Sequence, residues 1–401
     1  MSLVQKYRQM GTDGRLYLIF ISFFWLYGFL GAFWRRIGIE PNIANTIFLF
    51  ILAMACHGKW RHSVRISDIA FYLLFVCFYF ISTVIYPISK DLVMKNAFEV
   101  LFVVVPFFFV GIIFKDEEYR DWLMLLSRLA ILINVVFSIL FFSELDEEAM
   151  HRAYVLLPSV LFVLRQLLER FKLLDLLFFA LGFFMLTSLG TRGPFVCVLF
   201  FAIAYLFYFK EWKHKMVVRV VLIIIGIALI ALSTYIAEFM VQILGSVGLS
   251  TRIFDSMLND ALLNYENSNG RDLIQQELFQ QLNNDYRGIG FGLFSDRLVT
   301  GGFSAHNIVV EFWFSFGYYL GSVLLGMFLV LFIKFFYKPI YNHTKAFGLI
   351  FFASSFIKLM FSGSFIMEGY FFFIIGYAIN GLRTSKLKKT DNKKEIVAMP
   401  I

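Results

Sequence analysis

Residues 16–34 read LYLIFISFFWLYGFLGAFW, a run of 19 residues without a charge. At 1.5 Å per residue, a helix of this length crosses about 30 Å, the thickness of the hydrocarbon core of a bilayer. The segment must be helical there, because lipid offers backbone N–H and C=O groups no hydrogen-bond partner. Only 16% of the 401 residues are charged, against about 25% in soluble domains. The sequence therefore predicts an integral membrane protein.

Similar apolar blocks recur along the chain and predict an all-α polytopic fold with about twelve transmembrane helices. The predicted spans are 16–34, 38–56, 67–86, 97–114, 123–143, 153–168, 173–191, 194–209, 219–239, 310–333, 346–363 and 368–384. We divide the chain into the first nine spans at 1–239, a large outer loop at 240–305, the last three spans at 306–384 and a basic tail at 385–401.

The basic residues predict the orientation of these spans. With a cytoplasmic N-terminus, the inner segments hold about 24 Lys and Arg and the outer segments about 10. This asymmetry predicts a multi-pass protein of the bacterial inner membrane with both termini in the cytoplasm, and a periplasmic large loop. It also explains the formal charge of +8 without a nucleic-acid partner. The three cysteines lie in or beside apolar spans, where they are expected to be small apolar core residues.

Two arginines lie at predicted helix starts on the outer side. In TSLGTRGPF (187–195), Pro194 suits the first turn of the next helix, so Arg192 lies beside a helix N-terminus. Free N–H groups, the helix dipole and a guanidinium together favour an anion site. In NSNGRDLI (267–274), Arg271 begins the second of two helical patterns in the large loop, at 271–282. The alternatives are an Arg192 that snorkels to the headgroups and an Arg271 that is simply solvated.

A third segment combines a glycine-rich turn, RGIGFG (287–292), with FSAHNIVVEFWFSFGYYLG (303–321). Such glycines allow a tight turn or a close approach to a ligand. In the predicted topology, His151 and His306 are the histidines that face outward. We expect Ser304 to cap the following helix and His306 to lie in its first turn, where the positive helix end favours the neutral imidazole that a general base requires. The alternative is a structural histidine at a loop–helix junction.

The combination resembles the O-antigen polymerases (Wzy type) and the O-antigen ligases (WaaL type). GTRG at a span boundary, an arginine in the large outer loop, and a glycine-rich turn followed by His-Asn and G-x-x-x-G are typical of them. Together with the predicted layout of spans, the resemblance covers nearly the whole chain. It implies a GT-C-like helical membrane fold and a glycosyltransferase that needs no metal or cofactor.

The resemblance also implies substrates and roles. Undecaprenyl-pyrophosphate-linked oligosaccharides are donor and acceptor, Arg192 and Arg271 hold the pyrophosphate, and His306 activates the acceptor hydroxyl. Asn307 is a polar neighbour without an assigned role. The further partners implied are membrane lipids and a regulator of polysaccharide chain length.

The same motif bears on the choice between the two enzymes. Ligases tend to have nine residues after His-Asn and then G-x-x-G-T-G, whereas here Gly317-Tyr-Tyr-Leu-Gly321-Ser follows. This difference favours a polymerase that makes O-antigen or capsular polysaccharide. A ligase that transfers the glycan to lipid A–core is the alternative. A flippase for lipid-linked oligosaccharides is disfavoured, because the chain has no internal repeat and its polar residues concentrate in one outer loop.

Further charged and small residues are candidates for substrate contacts. Arg287, Arg297 and Gly290 belong to or flank the glycine-rich turn, although solvated loop charges are the favoured interpretation of the two arginines. Lys358 lies within a predicted span and is expected to join the phosphate site or to pair with Glu99 or Glu311. The acidic turn ELDEEAMH (144–151) is interpreted as solvated, and no metal site is predicted.

Overall fold

The structure is a computed structural model. It describes residues 10–36, 40, 43–44, 46–47, 50, 63–140, 149–188, 192–209, 233–246, 271–284 and 288–397. Within these ranges the chain is helical and contains no strand.

The helices are labelled in chain order. They are α1 (Thr12–Arg36), α2 (Ile66–Ile85), α3 (Lys90–Glu99), α4 (Phe107–Ile113), α5 (Arg120–Leu140), α6 (Ala149–Glu169), α7 (Leu173–Ser188), α8 (Arg192–Tyr208), α9 (Ser233–Ser246), α10 (Arg271–Asn283), α11 (Asp296–Val299), α12 (Ile308–Tyr337), α13 (Asn342–Phe352) and α14 (Gly369–Val397). Wider π turns at Val100–Val104 and Ala353–Ile357 continue α3 and α13.

Among the described residues, four helical segments are long and apolar enough to cross a membrane. They are Thr12–Leu30, Ile66–Ile85, Pro87–Ile113 and Ile308–Tyr337. Large apolar side chains such as Leu74 and Val84 point outward from α2, each more than two-thirds exposed. Exposed apolar surface beside buried polar groups is the pattern of helices that face lipid. The predicted helical class is confirmed, and the described chain fits an α-helical membrane protein.

Several predicted spans coincide with helices, among them 16–34 with α1, 67–86 with α2 and 310–333 with α12. Most of the predicted spans 38–56 and 219–239 lies outside the described residues. The number of twelve spans and the periplasmic loop stay predictions.

The chain divides into two compact units. The first unit comprises Met1–Trp122 and Ile274–Ile401, and the second comprises Leu123–Leu273. The boundaries between the units fall inside α5 and inside α10. The division predicted from sequence stays a prediction.

Glycines let the core helices of the first unit approach closely. A Cβ at Gly111 of α4 would lie 2.1 Å from the Phe373 carbonyl oxygen, and one at Gly376 of α14 would lie 2.0 Å from the Phe108 carbonyl oxygen. Small residues at helix contacts are how membrane helices gain van der Waals packing. Aromatic rings then fill the space around this pair. Phe373 packs at ring-centroid distances of 4.8 Å from Phe24 and 4.2 Å from Phe351.

Polar contacts tie the helices of the first unit at one end, which we call the Arg383 end. The Tyr377 hydroxyl donates to Asp116 Oδ1 at 2.8 Å. Arg383 donates from both terminal nitrogens to the Asp68 carboxylate, at 2.8 and 2.5 Å. Asp68 lies in the first turn of α2, so this end contains the start of α2 and the middle of α14.

The other end of α2 is about 30 Å away, since α2 has 20 residues. There the Tyr86 hydroxyl donates to the Ile289 carbonyl oxygen at 2.7 Å. We call this end the His306 end. It contains Tyr86, residues 288–317 and residues 358–368. The two groups of segments are those that the charge pattern predicts on opposite sides of the membrane. Which group faces the cytoplasm stays a prediction.

The second unit is held by polar contacts between neighbouring helices. Arg128 of α5 pairs with Asp175 of α7 at 2.5 Å. Arg165 is 1% exposed and pairs with Glu169 at 2.8 Å. The Tyr205 hydroxyl of α8 donates to the same carboxylate at 3.1 Å, which joins α8 to α6.

Candidate functional site

Helix α12 breaks at Gly317, whose φ of 78° and ψ of 166° are not helical. The break removes the helical partners of nearby carbonyl groups, and buried carbonyl groups need replacements. The glycine-rich turn supplies them. The Phe291 N–H donates to the Phe314 carbonyl oxygen at 2.8 Å, and the Gly292 N–H donates to that of Ser315 at 3.0 Å. The turn and the broken helix thus form one backbone unit.

This contact requires glycine on both sides. Gly290 has a φ of +74°, and a Cβ there would lie 2.5 Å from the Gly317 nitrogen. A Cβ at Gly317 would lie 2.0 Å from the Gly288 carbonyl oxygen. Gly290 is buried, so the structure gives it a packing role. Its contact with substrate stays a prediction.

Asn307 determines where α12 begins. Its Oδ1 accepts hydrogen bonds from the Val309 N–H at 2.9 Å and the Val310 N–H at 3.4 Å. The helix therefore starts at Ile308, and His306 precedes the cap. The expectation that Ser304 caps this helix, with His306 in its first turn, is wrong. Asparagine is at least as good an N-cap as serine, and the Ser304 hydroxyl donates to the Gly363 carbonyl oxygen at 3.3 Å.

His306 has a left-handed backbone conformation with a φ of 52°. A non-glycine residue in this region costs about 1–3 kcal/mol and persists only where its surroundings enforce it. Such residues cluster at active sites and ligand clamps. His306 is partly buried and lies immediately before the N-terminus of α12. It is therefore a candidate functional residue on structural grounds as well.

A buried carboxyl group holds the residue before His306. Asp296 is 1% exposed, and its Oδ2 accepts a hydrogen bond from the Ala305 N–H at 2.8 Å. Burial raises the pKa of Asp296, while the Ala305 N–H and the Arg297 charge act in the opposite direction. Sequence reasoning missed Asp296, because an acid in a loop is normally solvated.

A second buried carboxyl group lies in the first turn of α12. Glu311 is 3% exposed and accepts hydrogen bonds from the Ser364 hydroxyl and, at 2.9 Å, from the Phe365 N–H. Glu311 also interacts electrostatically with Asp296. The pair thus joins three segments, namely the loop before His306, the start of α12 and the loop before α14. An acid inside a predicted span is itself a signal of function.

Two of the predicted substrate contacts have partners at this end. Arg297 lies with its guanidinium carbon 4.7 Å from the centre of the Phe294 ring, in a cation–π contact. Lys358 forms an ion pair with Glu368, and both side chains are largely buried. Glu368 is not among the partners that the sequence suggests for Lys358. A role of either cation in substrate binding stays a prediction.

Helix α10 confirms the helical pattern predicted at 271–282. Its apolar face packs against the segment around His306, through Leu278 and Leu282 on one side and Ala305, Val310 and Phe314 on the other. The Tyr318 hydroxyl donates to Asn283 Oδ1 at 2.9 Å, which fixes the C-terminal end of α10. Arg271 is the first residue of this helix.

Arg192 is the first residue of α8, in the second unit. The adjacent Gly193 allows a close contact, because a Cβ there would lie 1.9 Å from the Tyr154 hydroxyl oxygen. The N-terminus of α8 therefore lies against the N-terminal part of α6. Arg152, two residues before Tyr154, is 9% exposed. Sequence reasoning overlooked this arginine, although it borders the predicted outer turn.

The predicted site residues are thus distributed over both units. His306, Asn307, Arg297, Gly290 and Lys358 belong to the first unit and gather at its His306 end, whereas Arg192 and Arg271 belong to the second unit. Arg287 lies outside the described residues, as do the acidic residues 144–148. Within the described part of the chain, no cluster of His, Cys, Asp and Glu has the geometry of a metal site.

No family model, curated protein or solved structure matches this chain. The likeness to O-antigen polymerases and ligases therefore depends on the short motifs and on the predicted topology.

Proposed function

We propose that the chain is a membrane glycosyltransferase that polymerises undecaprenyl-pyrophosphate-linked oligosaccharide repeat units at the outer face of the inner membrane. The observation that carries the proposal is the conformation of His306. A histidine with a φ of 52° precedes a helix N-terminus and is flanked by buried polar contacts, as expected for a preorganised catalytic base.

The chemistry requires one base and stabilisation of one leaving group. The sugar hydroxyl of an incoming lipid-linked unit gives its proton to His306, and its oxygen attacks the anomeric carbon of the growing chain. The bond from that carbon to the pyrophosphate oxygen breaks, and the electron pair leaves with undecaprenyl pyrophosphate. Arg192 and Arg271 stabilise the charge that develops on the pyrophosphate. The donor already has a good leaving group, so this mechanism uses no metal.

The proposal requires Arg192 and Arg271 to face the same aqueous space as His306. Both arginines begin helices, and helix N-termini favour phosphate through their free N–H groups and dipole. The later turns of α10 pack on the segment around His306.

A ligase would use the same groups with lipid A–core as acceptor. The sequence difference that favours a polymerase lies at Gly317 and Gly321. Gly317 forms the break in α12, and a Cβ at Gly321 would lie 2.6 Å from the Phe312 carbonyl oxygen. Both glycines therefore have packing roles, and product analysis is the direct way to distinguish the two enzymes.

The test is replacement of the chromosomal gene by variants, with surface glycolipids separated on gels. His306→Ala should lower polymer formation by about 10²–10⁴-fold, the usual contribution of a general base, and should leave glycolipid bearing a single repeat unit. His343→Ala is the matched control, since His343 pairs with Glu117 at 2.9 Å outside the His306 end. Polymer of normal length from His306→Ala would exclude the catalytic role.

The product that accumulates separates the three candidate functions. Loss of a polymerase leaves single units on the surface. Loss of a ligase leaves unmodified core, with polymer retained on its lipid carrier. Loss of a flippase traps single units on the cytoplasmic side.

A further inference from the structure

Three contacts hold the backbone around His306. The Ser304 hydroxyl donates to the Gly363 carbonyl oxygen, the Ala305 N–H donates to Asp296 Oδ2, and Asn307 caps α12. A left-handed φ at a histidine needs such support, because the residue prefers other backbone regions when it is unconstrained.

Asp296 is held in place by hydrogen bonds within its own turn. It begins the short helix α11, and its carbonyl oxygen accepts hydrogen bonds from the Thr300 N–H at 3.0 Å and from the Thr300 hydroxyl at 2.9 Å. The turn closes further through the Gly302 N–H, which donates to the Arg297 carbonyl oxygen at 2.7 Å. The Asp296 side chain is therefore fixed at its base while its Oδ2 accepts from Ala305. Asp296 is buried, so it is not placed to meet a substrate directly.

We propose that Asp296 is a positioning residue that keeps His306 in its left-handed conformation by accepting the hydrogen bond of the Ala305 N–H. As a statement about catalysis it rests on the proposed function, but as a statement about the conformation of His306 it stands independently. In this role Asp296 stabilises the backbone of the loop and does not contact the reacting atoms.

The competing explanation is electrostatic, with the Asp296 charge acting on the imidazole through space. The groups that face Asp296 are Glu311 from α12 and Arg297 from its own turn. The two explanations differ for Asp296→Asn and Asp296→Ala. Asparagine keeps an acceptor oxygen for the Ala305 N–H and removes the charge, whereas alanine removes both.

The test measures His306 directly. The full chain is solubilised in detergent, treated with diethyl pyrocarbonate, and the rate of modification at His306 is measured by peptide mass spectrometry. The exposed His151 serves as internal reference. Asp296→Asn should keep the wild-type ratio of the two rates. Asp296→Ala should change it by about fivefold or more, the population change expected when one strained backbone conformation is released.

Two results would overturn the proposal. One is an unchanged His306 rate in Asp296→Ala, and the other is an equal change in Asp296→Asn, which would point to the charge. If Asp296→Ala does not give folded protein, Asp296→Ser replaces it, since the shorter hydroxyl side chain remains polar but does not reach Ala305.

Polymer assays of the same variants separate this proposal from the proposed function. If His306 reactivity responds to Asp296→Ala while His306→Ala still makes normal polymer, the positioning role stands and the catalytic role fails. If His306→Ala abolishes polymer while His306 reactivity is indifferent to Asp296, the catalytic role stands and the positioning role fails. A loss of activity in Asp296→Ala that Asp296→Asn restores supports both.

Discussion

Both ends of the first unit contain buried acids, but the backbone is regular at the Arg383 end and unusual at the His306 end. Arg383 and Asp68 form a two-bond ion pair between regular helices. At the other end, the acids Asp296 and Glu311 accept hydrogen bonds from loop N–H and hydroxyl groups.

Backbone strain follows the same division. Among the described residues, the non-glycine residues with positive φ are Phe294 and His306, and the positive-φ glycines lie within 288–317 or at Gly363. All of these positions belong to the His306 end. The strained φ values of Phe294 and His306 lead to the hypothesis that this end is organised for function and the other end for stability.

The largest effect is expected at the break in α12. Gly317→Ala combines a φ of +78° with a Cβ 2.0 Å from the Gly288 carbonyl oxygen, so it should destabilise the fold by about 3 kcal/mol or more. Thermal unfolding in detergent, followed by tryptophan fluorescence, measures this loss.

Gly326→Ala is the matched control on the same helix. A Cβ there meets no atom within 4 Å, so the substitution should be neutral or stabilise by up to about 1 kcal/mol. A wild-type unfolding midpoint for Gly317→Ala would show that the break in α12 does not depend on glycine.

A smaller effect is expected at the Arg383 end. Asp68→Asn removes the ion pair with Arg383 but keeps an acceptor for the Arg65 N–H, which donates to Asp68 at 2.8 Å. The expected cost is about 1–3 kcal/mol. Polymer formation per folded molecule should not change, because no strained backbone depends on this pair. Folded Asp68→Asn that makes no polymer would place function at both ends and so break the contrast.

The helical scaffold could be predicted because it follows from local composition. An uncharged run such as 16–34 must be helical in lipid. The helical periodicity of the apolar residues in α10 is visible directly in the sequence. The placement of charged residues likewise predicts which end of α2 and which end of α14 lie on the same side of the membrane as a given loop. These features need no knowledge of tertiary packing.

The contacts that hold the His306 end together could not be predicted in this way. The burial of Asp296 arises only when residues 296–305 close into a loop and bring the Ala305 N–H to its carboxyl group. Ser304 and Asn307 are both good caps, and only the geometry of the loop selects Asn307. Lys358 meets Glu368 because the chain turns back between α13 and α14, which no spacing rule indicates.

The smallest expected effect is the pH dependence that Asp296 gives to stability. Since burial raises the pKa of Asp296 above its ordinary value of 3.8, the protonated form is favoured on folding. This contribution is fully present below about pH 4 and is lost as the pH rises through the folded-state pKa. Asp296→Asn keeps a neutral group at all pH values, so its stability relative to wild type should increase from pH 4 upward. The measurement is the difference between the unfolding midpoints of Asp296→Asn and wild type as a function of pH. Asp91→Asn, which removes an exposed acid, controls for the loss of one charge. If the difference between Asp296→Asn and wild type stays constant with pH, burial does not raise the pKa of Asp296, and this carboxyl group lies in a more polar environment than the contacts around Ala305 indicate.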